Sequence, residues 1–436
     1  MPSWRKSKIL VVGGGGREHA LCWRLRQSPG CGELLCAPGN AGIAALPGVR
    51  CLPVSAVDLA GLCAVVRHEE VDLVVVGPEA PLHAGLADAL LAERNGRTAV
   101  FGCSAAAAEI EASKVFAKAF MLRHGIPTAA YTVARDAAAA RAFLREQAAA
   151  GRHRFVVKAD GLRAGKGVTV CDDIPEAVRA AETLLSEGSA IVIEERLVGR
   201  EASCFALCDG EEVVPLPPCE DHKTLGEGDT GPMTGGMGAL CPTPVVDDDL
   251  MVRVRDEILQ PAARGLVAEG RPFRGLLYAG LMCTAAGPMV LEFNCRFGDP
   301  EAQPLLLLWD EGVGDALAAL EAVARGQLRQ LPPLRPVRGA AVCVVMAAAG
   351  YPGRVRSGDL IEGIAEAEAV APGQVVVFHA GTVLDPSGGL RTAGGRVLGV
   401  TARAADLPAA RALAYRAAAK VRFAGAQLRR DIGHRT

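Results

Sequence analysis

The chain has 436 residues, 50% of them hydrophobic, with 47 Lys and Arg against 49 Asp and Glu. At roughly 150 residues per domain, this length indicates two to four domains, each large enough for its own core. A net charge of −2 leaves no basic field to hold nucleic acid or an anionic membrane, and the abundant apolar residues exclude disorder.

Cysteine usage and the start of the chain indicate the compartment. The 14 cysteines are scattered and form no C-x-x-C pair, so we expect free buried thiols rather than zinc ligands or disulfides. The N-terminus lacks a signal-peptide h-region, and no apolar stretch approaches the about 20 residues of a membrane helix. These features predict a cytoplasmic protein.

Short apolar runs alternate with helical patterns over the first hundred residues. The runs lie at 8–13, 32–39, 71–81 and 98–102, and the helical stretches lie at 17–27, 58–68 and 81–94. This alternation predicts a parallel sheet covered on both faces, with ligands at the loops that follow the strands.

From about residue 104 the pattern becomes a mixture of hairpins and helices, which is typical of an α+β domain. We expect helices at 113–125, 175–186 and 247–269, strands at 155–160, 168–171, 190–197 and 203–210, and two more strands around 285–288. The proline-rich stretch 327–339 predicts a linker. Beyond it, three apolar strands and a helix at 406–421 indicate a small C-terminal domain.

A glycine loop, GGGGREHA (13–20), follows the first strand and opens a helix. Such a loop favours an anion or nucleotide at the helix N-terminus. It lacks the dinucleotide fingerprint, because Glu18 or His19 occupies the final glycine position, so NAD is disfavoured. Taken alone, the loop is equally consistent with a tight turn.

The segment KADGLRAGKG (158–167) is more specific. Lys158 and Asp160 share one face of a strand, and Gly161, Gly165 and Gly167 let the backbone fold over a ligand. It is not a Walker A loop, because no Ser or Thr follows the second lysine. A glycine-rich hairpin over phosphates, with a strand lysine beneath, is the nucleotide clamp that this pattern favours over a solvated hairpin.

The segment VLEFNCRFGDPE (290–301) is the sharpest local signal. Glu292 and Asn294 stand at i and i+2 on a strand, so both side chains project from one face. Their hard oxygens suit magnesium or manganese beside phosphates. Arg296, Asp299 and Glu301 follow within the same stretch, and a surface strand with ordinary alternation does not explain this cluster.

The segment 220–239 carries six glycines between 226 and 238, after Asp221, His222 and Lys223 and together with Asp229. So many glycines cost backbone entropy, and a loop of this length is unusual unless it is functional. We therefore interpret 226–238 as a functional glycine-rich loop rather than a flexible spacer.

Together these motifs resemble one enzyme family. The strings are GGREHAL, APGNAG, VGPEAPL, KADGL.AGKGV, IVIEE, EAS, DHK, GDTGP.TGGMGA, YAGLM, EFNCRFGDPE and GGRVLGVTA. In this order, from about residue 8 to about 434, the chain resembles the phosphoribosylamine–glycine ligases (glycinamide ribonucleotide synthetases), which are ATP-grasp enzymes.

The resemblance implies an α/β and α+β fold with an N-terminal Rossmann-like pre-ATP-grasp domain, an ATP-grasp core with a mobile lid, and a small β-rich C-terminal domain. We assign these to residues 1–103, 104–326 (lid about 125–197) and 340–436, with the linker at 327–339. The implied reaction is ATP-dependent ligation of glycine to 5-phosphoribosylamine through a glycyl phosphate. It yields glycinamide ribonucleotide, ADP and phosphate in de novo purine (IMP) biosynthesis.

The same matching assigns site residues. The implied ATP-binding residues are Lys114, Lys158, Gly161, Gly165, Gly167, Glu194, Glu195, Leu197 and Glu201. The implied ligands of Mg²⁺ or Mn²⁺ are Glu292 and Asn294. Residues implied to face glycine and phosphoribosylamine are Asn40, Glu79, Asp221, Lys223, Asp229, Gly235, Gly236, Arg296, Asp299 and Glu301. The implied catalytic residues are Lys158, Asp221 and Arg296.

Three features depart from the family pattern. Only residues 187–190 lead into the strand with Glu194, where the family usually carries an extra glycine-containing stretch of the lid. Thr224 and Met233 replace residues that are commonly Arg and Asn.

Two alternatives to this ligase remain open. One is another ATP-grasp ligase, such as a biotin carboxylase-like or a formate-using purine enzyme. The other is a nucleotide-binding homologue that has lost catalysis. We expect a monomer or weak dimer without nucleic-acid or membrane partners.

Overall fold

The computed structural model describes residues 6–93, 97–161, 167–310 and 312–434. Within these ranges the chain forms a five-stranded, a four-stranded and an eight-stranded sheet, with two short two-stranded pairs. In the same ranges no helix is long and apolar enough to cross a bilayer.

The N-terminal sheet is parallel throughout, as predicted. Its strands are β1 (Ser7–Gly13), β2 (Cys31–Pro38), β3 (Val49–Cys51), β4 (Leu73–Val76) and β5 (Ala99–Phe101). Their order is β3-β2-β1-β4-β5, so the order reverses between β1 and β4, where ligands bind in such sheets. The short β3 was not predicted, because three residues with a central arginine make no apolar run.

The helices of this region cover both faces of the sheet. They are α1 (Gly16–Leu25), α2 (Ala41–Ala45), α3 (Leu59–His68), α4 (Glu79–His83), α5 (Leu86–Glu93) and α6 (Ala105–Ala112). Along β1, Ile9 and Leu10 are both fully buried and pack into two different core clusters, as a sheet covered on both faces requires. The single predicted helix 81–94 is wrong, because Gly85 has a φ of +88° that breaks it into α4 and α5.

The four-stranded sheet, here called the lid sheet, has its own apolar core. It follows α7 (Lys114–Arg123) and comprises β6 (Tyr131–Ala134), α8 (Ala137–Ala149), β7 (Phe155–Ala159), β8 (Val168–Cys171), α9 (Ile174–Ser186) and β9 (Ile191–Glu195). The strand order is β6-β9-β7-β8 with antiparallel neighbours. Asp136 and Asp173 cap the N-termini of α8 and α9.

The eight-stranded sheet, here called the core sheet, begins within residues 200–294. The elements there are β10 (Arg200–Asp209), β11 (Val213–Asp221), β12 (Thr224–Gly226), β13 (Thr230–Met233), β14 (Gly238–Cys241), α10 (Asp248–Val254), a π-helical turn (Arg255–Leu259), α11 (Gln260–Ala268), β15 (Arg274–Thr284) and β16 (Gly287–Asn294). Two helices, α12 (Ala302–Leu308) and α13 (Ala316–Arg325), lead towards the proline-rich stretch.

The C-terminal strands continue this sheet. They belong to β17 (Ala340–Ala347), α14 (Ile364–Glu368), β18 (Val375–His379), β19 (Thr382–Leu384), β20 (Leu390–Thr392), β21 (Arg396–Ala404) and α15 (Leu407–Ala418). The sheet order is β16-β15-β10-β11-β14-β17-β21-β18, and β14 pairs with β17. The proline-rich stretch therefore connects two parts of one continuous sheet.

The glycine-rich segment 226–238 is not a plain loop, contrary to the prediction. β12 and β13 form an antiparallel hairpin, in which Thr224 lies opposite Met233. Gly228 has a φ of +67° at the turn, which glycine adopts without strain. The sequence did not predict these strands, because glycine has a low β propensity.

The prediction of free cysteines is confirmed. The 14 cysteines are free thiols, and all except Cys51 and Cys283 are buried. Burial raises the pKa of the Cys204 and Cys208 thiols, the latter to about 12, so these side chains behave as small apolar residues of the core.

Candidate active site

Two buried lysines meet one buried glutamate at the lid sheet; we call Lys118, Lys158 and Glu194 the lysine cluster. Lys158 on β7 and Glu194 on β9 lie on adjacent strands and form an ion pair, and Lys118 of α7 lies 2.5 Å from the second carboxylate oxygen of Glu194. Burial lowers the pKa of Lys118, and Glu194 opposes that shift. Three charged groups therefore share one site with little access to water.

The lysine cluster also ties the lid sheet to the core sheet. Lys158 Nζ donates a hydrogen bond of 3.1 Å to the carbonyl of Leu291 on β16. Leu291 is the extra residue of a β-bulge, because Glu292 lies opposite Gly280 whereas Val290 lies opposite Leu281. Bulges of this kind re-aim side chains next to active sites.

The start of α7 is held against the loop after β7. Asp160 accepts hydrogen bonds from Ser113 Oγ at 3.1 Å and from the Val115 amide at 3.2 Å. Lys114 Nζ donates to the carbonyl of Gly161 at 3.0 Å. These contacts place Lys114 beside the predicted phosphate clamp.

The structure describes two glycines of that clamp, Gly161 and Gly167, and Gly167 is buried. Gly161 has a φ of +91°, and among the described residues no atom lies within 4 Å of the position that a Cβ would take. The carbonyl of Gly167 accepts a 2.8 Å bond from the Ala159 amide, which closes the clamp. Gly165 lies outside the described residues.

The remaining predicted nucleotide residues lie at the end of β9 and the start of β10. Glu195 is exposed and Leu197 is half-buried. Glu201 forms an ion pair of 3.1 Å with Lys223, whose Nζ also lies 4.0 Å from Glu292 Oε1. Lys223 therefore links the predicted nucleotide side to the predicted metal site.

Glu292 and Asn294 project from one face of β16 beside these cations. Gly280 lies opposite Glu292, and a Cβ there would sit 3.2 Å from Glu292 Cγ, so glycine leaves room for the carboxylate. Burial alone would raise the pKa of Glu292, but Lys223, Lys158, Lys114 and Arg296 outweigh it and lower that pKa. The carboxylate is therefore held ionised, as metal coordination requires.

The donor set fits a divalent metal that is completed by phosphate oxygens. In the described part of the chain no cluster of three or more His, Cys, Asp and Glu side chains could hold a metal by itself. Mg²⁺ is commonly bound by one or two carboxylates together with substrate phosphates, and a carboxylate with an amide oxygen suits that arrangement.

A second charged group surrounds Arg296; we call Arg296, Glu79, Glu111 and Asn294 the arginine cluster. The guanidinium lies 3.3 Å from Glu79 and 3.1 Å from Glu111, and it donates to Asn294 Oδ1 at 3.2 Å. Burial opposes the charge of Arg296, but Glu111 and Glu79 outweigh it and raise its pKa. Burial also acts to raise the pKa of Glu79, but Arg296 and Arg17 lower it.

Asp299 adjoins the arginine cluster and is held by Arg396 from β21. Arg396 donates to the Asp299 carbonyl at 2.6 Å, lies 3.4 Å from its carboxylate, and also bonds the carbonyl of Gly235. Gln303 Nε2 donates to Asp299 Oδ1 at 2.7 Å. The C-terminal strands thereby supply a cation to the predicted substrate side.

Asp221 and Glu301 are two carboxylates in the floor of the site. Burial and the nearby charge of Glu301 raise the pKa of Asp221 well above its ordinary value. In the part of the chain that the structure describes, its buried Oδ1 has no hydrogen-bond partner. A Cβ at Gly236 would lie 2.7 Å from that oxygen, so glycine is required there. Glu301 accepts hydrogen bonds from Tyr278 at 2.7 Å and Ser203 at 3.2 Å.

The N-terminal glycine loop satisfies its own helix. Glu18 Oε2 accepts a 2.6 Å hydrogen bond from the Gly15 amide, while Arg17 pairs with Glu18 Oε1 at 2.6 Å. The Glu18 carboxylate therefore occupies the N-terminus of this helix, where the sequence predicted either a bound anion or a tight turn. Asn40 donates to the carbonyls of Gly14 at 2.9 Å and His379 at 2.8 Å, so it joins this loop to the C-terminal strands.

One predicted residue lies apart from these groups. Asp229 sits on the β12–β13 hairpin with a φ of +58°, and Arg429 Nη1 lies 3.1 Å from its carboxylate. The departures Thr224 and Met233 lie opposite each other in the same hairpin.

Sequence reasoning missed several members of the site. Lys118 carried one usable signal, since it lies four residues after Lys114 and therefore on the same face of α7. Arg17 and Arg396 lie inside the quoted strings GGREHAL and GGRVLGVTA, but nothing in the sequence marked them as site residues. Glu111 carried no signal, and all three reach the site only through long-range packing.

The lid sheet, the core sheet and the lysine cluster between them define an ATP-dependent ligase with an ATP-grasp core. Three family models match: phosphoribosylglycinamide synthetase N domain at residues 7–111, its ATP-grasp (A) domain at 112–302 and its C domain at 341–435. The chain belongs to the phosphoribosylglycinamide synthetase family, which confirms the predicted family and fold class.

Full-length relatives agree with this membership. A curated phosphoribosylamine–glycine ligase of Caulobacter vibrioides is 47% identical over 435 residues, covering 99% of this chain and 98% of the relative. One from a Synechocystis species is 47% identical over 430 residues, covering 98% and 99%.

Solved structures agree as well. The crystal structure of phosphoribosylamine–glycine ligase from Thermotoga maritima has a TM-score of 0.80 at 34% identity, covering 98% of this chain and 100% of that one. A biotin carboxylase from Campylobacter jejuni has a TM-score of 0.71 at 15% identity, covering 99% and 95%, which shows similarity of fold alone.

Proposed function

We propose that this chain ligates glycine to 5-phosphoribosylamine with ATP, giving glycinamide ribonucleotide, ADP and phosphate, as a step of purine biosynthesis. The observation that carries the proposal is the meeting of two sheets at Lys158, whose ammonium bonds both Glu194 of the lid sheet and the residue preceding Glu292 of the core sheet. This meeting point joins the proposed phosphate-binding cations to the proposed metal-binding carboxylate in one chain of the family.

The chemistry requires activation of a carboxylate. A glycine oxygen attacks the γ-phosphorus of ATP, ADP leaves, and the resulting acyl phosphate is attacked by the amine of phosphoribosylamine with release of phosphate. Lys114 and Lys158 hold the phosphates in line, and the clamp at 160–168 excludes water from the acyl phosphate. The exposed Glu195, together with Glu194, Leu197 and Glu201, borders the nucleotide.

Glu292 and Asn294 would hold Mg²⁺ or Mn²⁺, which neutralises the charge that develops on the transferring phosphoryl group. Lys223 lies 4.0 Å from Glu292 and keeps that carboxylate ionised. Arg296, whose charge Glu79 and Glu111 balance, adjoins this site, because it donates a hydrogen bond to Asn294 Oδ1.

Asp221 takes the proton that the amine loses when it attacks the acyl carbon. Its Oδ1 has no hydrogen-bond partner among the residues that the structure describes, and burial beside Glu301 raises its pKa, which favours uptake of a proton. Arg296 and Asp299 orient glycine and the sugar, with the loops of Asn40 and Glu79 closing the sugar side. Lys223, Gly235 and Gly236 bring the glycine-rich segment to the substrates, and Glu301 supports the substrate side from the N-terminus of α12, whereas Asp229 pairs with Arg429.

We also propose that the domains span residues 1–103, 104–326 and 340–436. The protein is then cytoplasmic and forms a monomer or a weak dimer.

The test is ADP release with glycine and freshly generated phosphoribosylamine, each omitted in turn. We expect ADP only when both are present. Equal release with either one missing would indicate a simple ATPase, and turnover with bicarbonate or formate in place of glycine would indicate another carboxylate-activating enzyme. Tight ATP binding without turnover would indicate a homologue that has lost catalysis.

A further inference from the structure

Arg429 lies in the C-terminal tail after α15, and its side chain is fully buried. Its Nη1 donates to Thr224 Oγ1 at 2.9 Å and to the Thr224 carbonyl at 3.2 Å, and lies 3.1 Å from Asp229 Oδ1. Its Nη2 lies 2.6 Å from Asp431 Oδ2. One guanidinium therefore connects the tail to both ends of the β12–β13 hairpin.

Two more contacts join the tail to this hairpin. The Gly228 amide donates to Asp431 Oδ2 at 2.8 Å, and the Arg430 amide donates to Glu227 Oε1 at 3.1 Å. The tail itself is anchored on α15, because Tyr415 donates to the Arg429 carbonyl at 2.8 Å and accepts from the Ile432 amide at 2.9 Å. The hairpin is thus held from a rigid helix.

The hairpin needs such support. β12 and β13 form a two-stranded sheet of their own, and Thr230–Met233 is exposed at every position. An isolated hairpin of this size is only marginally stable in water.

The base of the hairpin leads into the site. The Thr234 amide donates to the Lys223 carbonyl at 2.7 Å, and Thr234 Oγ1 donates to the same carbonyl at 2.8 Å. Lys223 then reaches Glu201 and Glu292, while Gly236 packs against Asp221. Movement of the hairpin therefore displaces Lys223, beside Glu201 and Glu292, and also Gly236, beside Asp221.

We propose that residues 427–432 form a strap that fixes the β12–β13 hairpin over the substrate side, and that Arg429 is the positioning residue of this strap. The role in substrate binding rests on the proposed function, whereas the mechanical role of the strap does not. In this arrangement the carboxylate of Asp229 serves Arg429 rather than the substrate.

Arg429→Lys tests the strap, because lysine keeps the charge but cannot span Thr224, Asp229 and Asp431 at once. We expect amide exchange in residues 224–233 to accelerate by about tenfold, as loss of charge-assisted hydrogen bonds implies. We also expect the KM for phosphoribosylamine to rise about tenfold, while the KM for ATP and exchange in the lid sheet stay within twofold.

Arg356→Lys is the matched control, since Arg356 bonds Asp359 at 2.9 Å and the Ala424 carbonyl at 2.8 Å in the same C-terminal region. It should leave the hairpin unchanged. Asp229→Asn, at an exposed position, supplies a variant that folds. The double variant should lose less than the sum of the two single effects, because the contact between Arg429 and Asp229 can be lost only once.

Unchanged exchange and unchanged KM in Arg429→Lys would overturn the proposal, as would additive effects in the double variant. An equal loss of amide-exchange protection in the five-, four- and eight-stranded sheets would show that Arg429 serves general stability, and this result would also overturn the proposal. If the wild-type chain forms no ADP with both substrates, the proposed function fails, and the exchange measurement alone decides the strap.

Discussion

The lysine cluster and the arginine cluster are both buried and charged, but they are assembled differently. Lys158 and Glu194 lie on adjacent strands of the lid sheet, which has its own core. We expect this unit to close over a nucleotide. Arg296 instead gathers Glu79 from α4 and Glu111 from α6. We therefore expect the nucleotide half to move and the substrate half to be rigid, and we call them the mobile half and the rigid half.

The largest effect should come from the point where the two halves meet. Glu292→Gln removes the carboxylate of the metal site, and we expect kcat to fall at least about 100-fold, because charge neutralisation by the metal contributes several kcal/mol. Steady-state kinetics over a magnesium titration measure this. Glu366→Gln, at an exposed position, is the control. A near-normal rate at limiting magnesium would place the metal site elsewhere.

Asp221→Asn tests the rigid half. Since general base catalysis contributes about 100-fold or more, we expect kcat to fall by about that factor. The pKa of Asp221 is raised above its ordinary 3.8, so the base form accumulates only as the pH rises through the raised pKa. The wild-type rate should therefore decline on the acid side, and the variant should lack that limb. An identical pH profile in both enzymes would remove Asp221 from proton transfer.

The two halves also differ in how well the sequence predicted them. Lys158 and Glu194 could be predicted from the sequence, because each lies in a local motif on one strand. Glu79 and Arg296 were both named, but their 3.3 Å contact joins positions 217 residues apart, and no local pattern encodes such a pair. Arg396, which holds Asp299, was missed for the same reason.

The hairpin shows the opposite error of sequence reasoning. Its glycines predicted a functional segment, which stays a prediction. They concealed β12 and β13, since pairing between Thr224 and Met233 depends on register rather than on composition. The two departures at these positions therefore lie together, on a surface that the strap supports.

Lys118→Met tests the mobile half with a smaller effect. Lys118 holds one oxygen of Glu194, and without it that carboxylate binds Lys158 alone and competes with ATP phosphates. We expect the KM for ATP to rise about tenfold, as for loss of one charge-assisted hydrogen bond, with the KM for glycine unchanged. Equal changes in both constants would show that the two halves are not separable.

The smallest effect concerns stability at the rigid half, where two buried histidines adjoin Asn40. Burial lowers the pKa of His19 to about 3 and that of His379 to about 4, each from an ordinary 6.5, with His379 adding to the shift of His19. A lowered pKa stabilises the fold above 6.5, and this contribution is lost as the pH falls towards 4.

Urea unfolding between pH 7 and 4 measures that loss. His379→Gln should show a shallower decline than the wild-type chain, with the KM for ATP unaffected at pH 7. Parallel declines in both proteins would assign the pH dependence to other groups.

The central claim is that the mobile half transfers a phosphoryl group to glycine before the rigid half forms the amide. Glycine labelled with ¹⁸O in its carboxylate tests this most directly, because the oxygen that attacks phosphorus must leave with phosphate. Mass spectrometry should find one ¹⁸O in each phosphate released and one retained in glycinamide ribonucleotide. Unlabelled phosphate, with both labelled oxygens still in glycine, would contradict the account.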